Sequence, residues 1–187
     1  HFVTGGAGFI GSHLVERLLA AGKTVTAYDN LTSGRLAWIE PHLDHPAFRF
    51  EQADLLDGDR LKEAMAGHEL VWHLGANTDI PGGCRQVDLD LRNCVLATHN
   101  VLEAMRALGL RQIIFSSTSA VYGDAPISPT PETAGPLLPI SLYGAAKLAC
   151  ETLISSYCHL FGFQAWMFRF ANVVGARMGH GVIFDLI

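Results

Sequence analysis

The chain has 187 residues, of which 49% are hydrophobic and 17% are charged, and its formal net charge at pH 7 is -5. This length and composition are typical of one globular domain with a substantial core, and they exclude an intrinsically disordered chain. The acidic balance gives no long-range attraction to nucleic acid or anionic lipid, and no apolar stretch reaches the ~20 residues that cross a bilayer.

The cysteines and histidines indicate neither a disulfide framework nor a metal site. The four cysteines contain no C-x-x-C pair, and the nine histidines lack the spacing of metal ligands. We expect no metal and reduced thiols, as in a cytoplasmic protein. The first residues already have the pattern of a strand, so no signal peptide is expected. The cysteines are Cys84, Cys94, Cys150 and Cys158.

Short apolar runs typical of strands alternate along the chain with longer runs typical of helices. In the first half, strands are predicted at residues 1–4, 24–29, 47–54 and 69–76, and helices at residues 9–20 and 61–67. In the second half, apolar side chains step by three and four from Val87 through Leu91 and Val95 to Met105, and Gly109 ends this long helix. A strand at 111–117, a proline-rich surface loop at 125–139, a helix at 141–160 and a strand at 164–172 follow.

This alternation predicts an α/β fold with a doubly wound parallel sheet, the Rossmann fold. Ligands of such folds bind at the carboxyl ends of the strands. The stretch between the first strand and the first helix lies at that edge. It is rich in glycine and spans residues 5–11, and we call it the glycine loop.

Gly5, Gly8 and Gly11 form the pattern G-x-x-G-x-x-G in the glycine loop. Glycine permits close backbone approach, and the N-terminus of the following helix suits a pyrophosphate. Asp29 ends the second strand 21 residues beyond Gly8, where a ribose-binding carboxylate is expected. Such an acid favours NAD over NADP, although Arg35 nearby can soften that preference. The alternative reading is a tight turn with a surface aspartate.

Tyr143 and Lys147 lie one helical turn apart on the same face of a predicted helix. An ammonium group and a cationic nicotinamide beside a tyrosine lower its pKa, which makes it a usable base. The fifth strand ends in hydroxyl residues, and we expect Ser117 and Thr118 at the mouth of the site, where a hydroxyl can relay a proton to Tyr143. Taken alone, the Tyr–Lys spacing favours an ordinary half-buried tyrosine with a lysine one turn away; the hydroxyl residues at the end of the fifth strand shift the interpretation toward a catalytic group.

Seven segments in this order, TGGAGFIG, DN, ADLLD, WHLGA, SSTSAVYG, YGAAK and RFANVVGA, resemble the extended short-chain dehydrogenase/reductase family, in its nucleotide-sugar epimerase/dehydratase branch. The resemblance implies that Tyr143 is the catalytic acid/base, that Lys147 anchors the nicotinamide ribose and that Thr118 is the active-site hydroxyl. Thr118, Tyr143 and Asn172 would meet a UDP-linked nucleotide sugar. The implied NAD-binding residues are Gly5, Gly8, Phe9, Ile10, Gly11, Asp29, Asn30, Ser33, Gly34, Asp54, Leu55, Leu74, Gly75, Ala76, Ser116, Tyr143 and Lys147.

The resemblance also implies an organisation of the chain. Residues 1–171 would form the NAD-binding domain, and residues 172–187 would begin a truncated substrate-binding region. The family often forms dimers through helices that correspond to residues 86–108 and 141–160. Two positions depart from the family pattern: Gly75 stands where alanine is usual, and Cys94 stands where an asparagine often contacts the cofactor.

The residues after Thr118 bear on the reaction. Family dehydratases carry an Asp-Glu pair there, and decarboxylases carry a glutamate at the second position, whereas this chain has Ser119 and Ala120. Without a carboxylate, elimination lacks its acid/base, so the expected function is 4-epimerisation of a UDP-hexose or UDP-N-acetylhexosamine through a 4-keto sugar. The alternatives are an NAD-dependent oxidoreductase or dehydratase of the same branch and a non-catalytic NAD-binding module. Whether this fragment alone turns over substrate stays open.

Overall fold

The computed structural model describes residues 1–77 and 79–179. Six strands form one sheet in the order β3-β2-β1-β4-β5-β6, and every neighbouring pair is parallel. The strands are β1 (Phe2–Thr4), β2 (Val25–Asp29), β3 (Phe48–Gln52), β4 (Leu70–His73), β5 (Gln112–Thr118) and β6 (Gln164–Phe170). This order is that of a doubly wound Rossmann fold, so the predicted fold class is confirmed.

Within the described residues, five α-helices accompany the sheet. They are α1 (Phe9–Ala20), α2 (Gly58–Met65), α3 (Ile80–Arg85), α4 (Ala97–Leu108) and α5 (Leu142–Phe161). Helix α1 has the predicted bounds, and α5 begins after Ser141, whose hydroxyl accepts a hydrogen bond from the Gly144 N–H. Helix α3 has no counterpart in the prediction, because the pair of glycines in its six residues weakens any helical pattern.

The core lies in two layers, one on each face of the sheet. Successive residues of a strand point to opposite faces, so Phe2 packs in one layer and Val3 in the other. The layer around Phe2 holds the buried faces of α2, α4 and α5, and the layer around Val3 holds that of α1. Both faces of β1 and β2 are therefore buried, which explains why these strands lack polar alternation.

The long helix predicted around Val87–Met105 is interrupted. A π-helical turn spans Leu91–Leu96 before α4 begins, and Val87 and Leu91 are 70% and 60% exposed rather than buried. A π turn adds a residue to the helical repeat, so positions before it rotate off the apolar stripe that continues through Leu102 and Met105. The predicted stripe is therefore correct only from Val95 onward.

No helix in the described part of the chain is long and apolar enough to cross a bilayer. Of the region predicted to begin substrate binding, residues 180–187 lie outside the described residues.

Candidate active site

The carboxyl ends of four strands bring the predicted site residues together. Thr4 pairs with Tyr28 on one side and with His73 on the other, and His73 pairs with Phe115. The residues that follow these strand ends therefore lie side by side at one edge of the sheet. They are Gly5 after β1, Asp29 at the end of β2, Leu74 after β4 and Ser116 near the end of β5.

The glycine loop makes close backbone contacts that no side chain would permit. Gly5 has φ +67°, and a Cβ atom there would lie 2.8 Å from the backbone nitrogen of Gly75. A Cβ atom on Gly11 would overlap the carbonyl oxygen of Gly5. The loop is also fixed by a 2.9 Å hydrogen bond from the Gly5 N–H to the Tyr28 carbonyl oxygen.

Helix α1 begins within this loop, at Phe9, and its N-terminal end is electropositive. Gly8 is its N-cap residue, no side chain caps it, and its first turn holds no acidic residue. The N-terminus of a helix attracts an anion through its unpaired N–H groups and its dipole. Phe9 and Ile10 are half-buried in this first turn, beside the loop. Loop and helix end together fit a pyrophosphate.

Asp29 is 8% exposed, and its carboxylate anchors the backbone around it. One oxygen accepts a hydrogen bond from the Ala7 N–H at 3.0 Å, and the other accepts from the Leu31 N–H at 2.8 Å. Burial raises the pKa of Asp29, although both of these hydrogen bonds oppose the shift. Gly34 packs against the carboxylate, because a Cβ there would lie 2.8 Å from Asp29 Oδ1.

This placement differs from a surface aspartate on an ordinary turn. Asp29 ties the glycine loop to the end of β2, which the spacing alone does not reveal. Each carboxylate oxygen has accepting capacity beyond its one backbone partner. The carboxylate can therefore anchor the loop and still accept a ribose hydroxyl.

The predicted adenosine-side residues lie together beside Asp29. The Asn30 amide donates to the Asp54 carboxylate over 2.8 Å, and the Tyr28 hydroxyl donates to the Asp54 carbonyl oxygen over 2.9 Å. The Leu55 carbonyl oxygen accepts from Asn100 of α4 at 2.9 Å. The remaining predicted residues of the groove are exposed or half-buried at the same edge, and they are Ser33, Leu74, Gly75 and Ala76.

Thr118, Tyr143 and Lys147 are brought together by β5 and α5. The Thr118 hydroxyl lies close enough to the Tyr143 phenol to act on its pKa. The Lys147 Nζ lies 5.9 Å from the centre of the Tyr143 ring and donates to the Ser116 carbonyl oxygen over 2.7 Å. Lys147 is only 2% exposed, and burial lowers its pKa. The predicted catalytic grouping is thus present as a geometry.

The lowered pKa predicted for Tyr143 stays a prediction for the site loaded with a cationic nicotinamide. In the chain alone, burial raises the pKa of Tyr143 to about 12, and the nearby Asp90 carboxylate acts in the same direction. Thr118 opposes this shift without reversing it. Adjacent residue types do not reveal this outcome, because desolvation depends on how deeply the phenol is packed.

The structure contradicts the expectation that Ser117 lies at the mouth of the site. Ser117 is buried, and its hydroxyl donates to Glu151 Oε1 over 2.5 Å, because neighbouring strand residues point to opposite faces. Arg169 of β6 donates to both oxygens of Glu151, at 3.0 and 2.8 Å. Ser117 therefore belongs to a partly buried ion-pair cluster that joins β5, α5 and β6, whereas Thr118 faces the candidate site.

Two buried residues near Tyr143 and Lys147 were not predicted from the sequence. Asp90 is 2% exposed; its Oδ1 accepts from Asn77 at 2.8 Å, and its Oδ2 has no partner among the described residues. Its charge reaches both Tyr143 and Lys147. His73 is fully buried beneath the same edge. An acid or a histidine inside an apolar segment gives no signal in one sequence that separates these residues from ordinary ones.

Asn172 is exposed and follows β6 at the same edge of the sheet, because Thr118 pairs with Phe170 in the sheet register. The segment beyond it crosses the start of α1. The Ala176 carbonyl oxygen lies 2.8 Å from His13 Nε2, and Arg177 pairs with Glu16. Among the residues described, no cluster of three or more His, Cys, Asp or Glu is arranged to hold a metal ion.

Fold and site together define a protein of the Rossmann class in which a threonine, a tyrosine and a lysine are grouped at the carboxyl edge of the sheet. The family model described as "NAD dependent epimerase/dehydratase family" matches residues 1–187. The chain therefore belongs to the NAD-dependent epimerase/dehydratase family, as the resemblance implied.

Nucleotide-sugar epimerases are among the similar proteins and solved structures. The UDP-glucose 4-epimerase of Mycolicibacterium smegmatis is 37% identical over 183 residues, which are 96% of this chain and 58% of that protein. A crystal structure of UDP-galactose 4-epimerase shares 44% identity with a TM-score of 0.86, covering 98% of this chain and 60% of that one.

The UDP-N-acetylglucosamine 4-epimerase of Methanobrevibacter ruminantium M1, solved with UDP-N-acetylmuramic acid, shares 34% identity with a TM-score of 0.89. The match covers 95% of this chain and 56% of that one. The chain thus spans somewhat more than half the length of the proteins it matches.

Proposed function

We propose that the protein containing this chain is an NAD-dependent nucleotide-sugar 4-epimerase that acts on a UDP-hexose or a UDP-N-acetylhexosamine. The observation that carries the proposal is the grouping of Thr118, Tyr143 and Lys147 at the same edge of the sheet as the glycine loop. Family membership and the epimerases among the similar proteins support the same reaction.

The residues of the groove fit NAD. The pyrophosphate would face the glycine loop and the free end of α1, and Asp29 would accept the hydroxyls of the adenosine ribose. Asn30 and Asp54 would flank the adenosine, with Ser33, Gly34 and the other groove residues named above around it. Lys147 has donors beyond the one that Ser116 accepts, and these would hold the nicotinamide ribose. An acid at Asp29 also disfavours a 2′-phosphate, which favours NAD over NADP.

In this proposal, NAD supplies a hydride acceptor for the sugar C4 position and later a hydride donor. Tyr143 takes the proton of the C4 hydroxyl and later returns a proton to the resulting ketone. Thr118 hydrogen-bonds the reacting oxygen and links it to Tyr143. Because burial raises the pKa of Tyr143 to about 12, the phenol needs the positive charges of the loaded site to become a base.

The local sequence after Thr118 supports epimerisation over elimination. Ser119 and Ala120 begin a short helical turn there and offer no carboxylate. Asp90 is the carboxylate whose charge reaches Tyr143, but it is enclosed, and its Oδ1 is held by Asn77. An enclosed carboxylate is poorly placed to remove a substrate proton. Epimerisation needs no such group, because the 4-keto sugar only rotates in the site and accepts the hydride on its other face.

Asn172 would meet the nucleotide sugar, together with Thr118 and Tyr143. Residues 1–171 would then be the cofactor domain, and residues from 172 onward would begin the substrate-binding region. The exposed position of Asn172 beside the end of β5 supports this division. The described cysteines Cys94, Cys150 and Cys158 are free thiols, which supports a cytoplasmic location.

We also propose that the protein forms a homodimer through the helical face made by the π turn and α5. Leu91 and Leu96 of the π turn and Leu160 of α5 are 60%, 45% and 68% exposed, and a second copy of the chain would cover these apolar side chains. Light scattering tests this: the expected mass is twice that of one chain, and a single-chain mass at micromolar concentration contradicts the proposal.

The function is tested with the complete protein that contains this chain, NAD, and a panel of UDP-hexoses and UDP-N-acetylhexosamines, followed by proton NMR. The expected result is the C4 epimer of one panel member without accumulation of NADH. Stoichiometric NADH would instead indicate an oxidoreductase. A panel with no conversion despite bound NAD would indicate a binding module.

A further inference from the structure

Four buried polar side chains connect β1 to α5 through His73, and we call them the His73 network: Thr4, His73, Thr98 and Cys150. His73 Nδ1 lies 2.7 Å from the Thr4 hydroxyl oxygen, and His73 Nε2 lies 3.0 Å from the Thr98 hydroxyl oxygen. Thr98 donates to the Cys150 sulfur over 3.2 Å. All four residues are at most 1% exposed.

Hydrogen-bonding capacity fixes the tautomer of His73. The Thr4 hydroxyl oxygen already accepts from the N–H groups of Leu74 and Gly75, at 3.2 and 3.1 Å. A hydroxyl oxygen has two acceptor sites, so Thr4 offers its own proton to His73 Nδ1. The ring proton is then on Nε2 and is donated to Thr98. Burial, reinforced by the charge of Lys147, lowers the pKa of His73 to about 3, so this neutral form persists.

The Thr4 end of the network holds the backbone of the cofactor groove. The Gly75 N–H is directed at the Thr4 hydroxyl, and this same nitrogen would lie 2.8 Å from a Cβ on Gly5. The backbones of Gly75 and the glycine loop are therefore in contact. A displacement of Gly75 would move the loop or open a gap beside it.

The main chain of His73 also contacts Ser116 of β5, which binds the Lys147 ammonium. The Ser116 hydroxyl donates to the His73 carbonyl oxygen over 3.4 Å, and the Ser116 carbonyl oxygen accepts from Lys147 over 2.7 Å. The Lys147 ammonium lies 4.6 Å from the centre of the Phe115 ring, which packs against the His73 ring at 5.6 Å. His73 thus lies between the glycine loop and Lys147.

We propose that His73 is a positioning residue for the dinucleotide: as the Nε2–H tautomer, it orients the Thr4 hydroxyl so that Gly75 and the glycine loop keep the spacing that NAD binding requires. This inference rests on the proposed NAD binding. His73 is fully enclosed and acts through Thr4 without touching the cofactor. The network orders the groove before the cofactor arrives, so its loss lowers affinity beyond any loss of stability.

The chain offers a matched control for testing this role. His68 makes a similar histidine–threonine hydrogen bond, 2.9 Å from its Nε2 to the Thr26 hydroxyl, at the opposite end of β2 from Asp29. His73→Phe and His68→Phe each remove one such histidine, but only the first lies beneath the groove. Thr4→Val removes the hydroxyl itself while keeping the side-chain shape. This variant tests the same role if His73→Phe does not fold.

NAD affinity is measured by calorimetry on the nucleotide-free complete protein, at a temperature where each variant is fully folded. His73→Phe and Thr4→Val are each expected to weaken NAD binding at least tenfold. The variant that carries both substitutions is expected to bind NAD no more weakly than either single variant. His68→Phe is expected to stay within twofold of the parent. Equal affinity for His73→Phe, Thr4→Val and the parent would overturn the inference. Absence of NAD binding by the parent would instead overturn the proposed function.

Discussion

Gly11 and Gly5 touch through backbone alone, since a Cβ atom on Gly11 would overlap the Gly5 carbonyl oxygen. The first turn of α1 therefore packs directly on the beginning of the glycine loop. This contact fixes where the free end of α1 points, and it makes the geometry of the proposed pyrophosphate site sensitive to one methyl group.

Gly11→Ala is expected to weaken NAD binding at least tenfold and to lower the free energy of unfolding by about 1–3 kcal/mol, the usual cost of overpacking. Calorimetry and urea denaturation measure the two effects. Gly58→Ala is the control, because nothing lies within 4 Å of its Cβ position at the start of α2. A Gly11→Ala protein that behaves like Gly58→Ala would contradict the described packing.

Tyr143→Phe is expected to reduce turnover of the nucleotide sugar by about 10²–10⁴-fold, the range for loss of a general acid/base. NAD binding should stay within a few-fold of the parent, because Lys147 keeps its hydrogen bond to Ser116. Proton NMR follows the epimer. Tyr157→Phe is the control on the same helix, since the Tyr157 hydroxyl donates to Glu103. Near-normal turnover in Tyr143→Phe would remove Tyr143 from its proposed role.

Asp29→Asn is expected to weaken NAD binding and to reduce the preference for NAD over NADP by about tenfold, or ~1.4 kcal/mol. The variant loses the charge that repels a 2′-phosphate, and its amide presents donors to the N–H groups of Ala7 and Leu31. Dissociation constants for both dinucleotides give the ratio. Asp59→Asn makes the same charge change on α2, and an equal shift there would indicate a general charge effect.

Glu151→Gln is expected to lower the free energy of unfolding by about 1–3 kcal/mol, because it weakens a partly buried, charge-assisted pair with Arg169. Glu103→Gln removes a carboxylate from the more exposed pair with Arg106, where a smaller loss is expected. Urea denaturation compares the two variants. Similar losses would mean that the Ser117–Glu151–Arg169 cluster is not the stabilising contact described above.

His73 gives a pH dependence with a defined sign. Its folded pKa is about 3, below the ~6.5 of an unfolded histidine, so the unfolded state binds the proton first. Stability from this group is complete above about pH 6.5 and is lost progressively as the pH falls toward 3. His73→Gln should therefore show a shallower loss of unfolding free energy than the parent between pH 7 and 5. Parallel curves would show that His73 is not buried as a neutral ring.

Local sequence patterns determined the elements and the motifs of this protein. Contacts within a few residues determine several features, so periodicity and turn chemistry suffice to predict them. These features are the bounds of α1, the start of α5 after Ser141, the glycine spacing and the separation of Tyr143 from Lys147. The strand–helix alternation likewise predicted the parallel sheet.

Only the tertiary structure decided how deeply these groups are buried and which partners they find. Thr4 meets His73 across 69 positions, and Ser117 meets Glu151 across 34, so neither contact leaves a trace in a short window of sequence. The raised pKa of Tyr143, the anchoring role of Asp29 and the π turn before α4 have the same origin. Desolvation and hydrogen bonding between distant segments set these properties, because they depend on packing across the sheet rather than on neighbours along the chain.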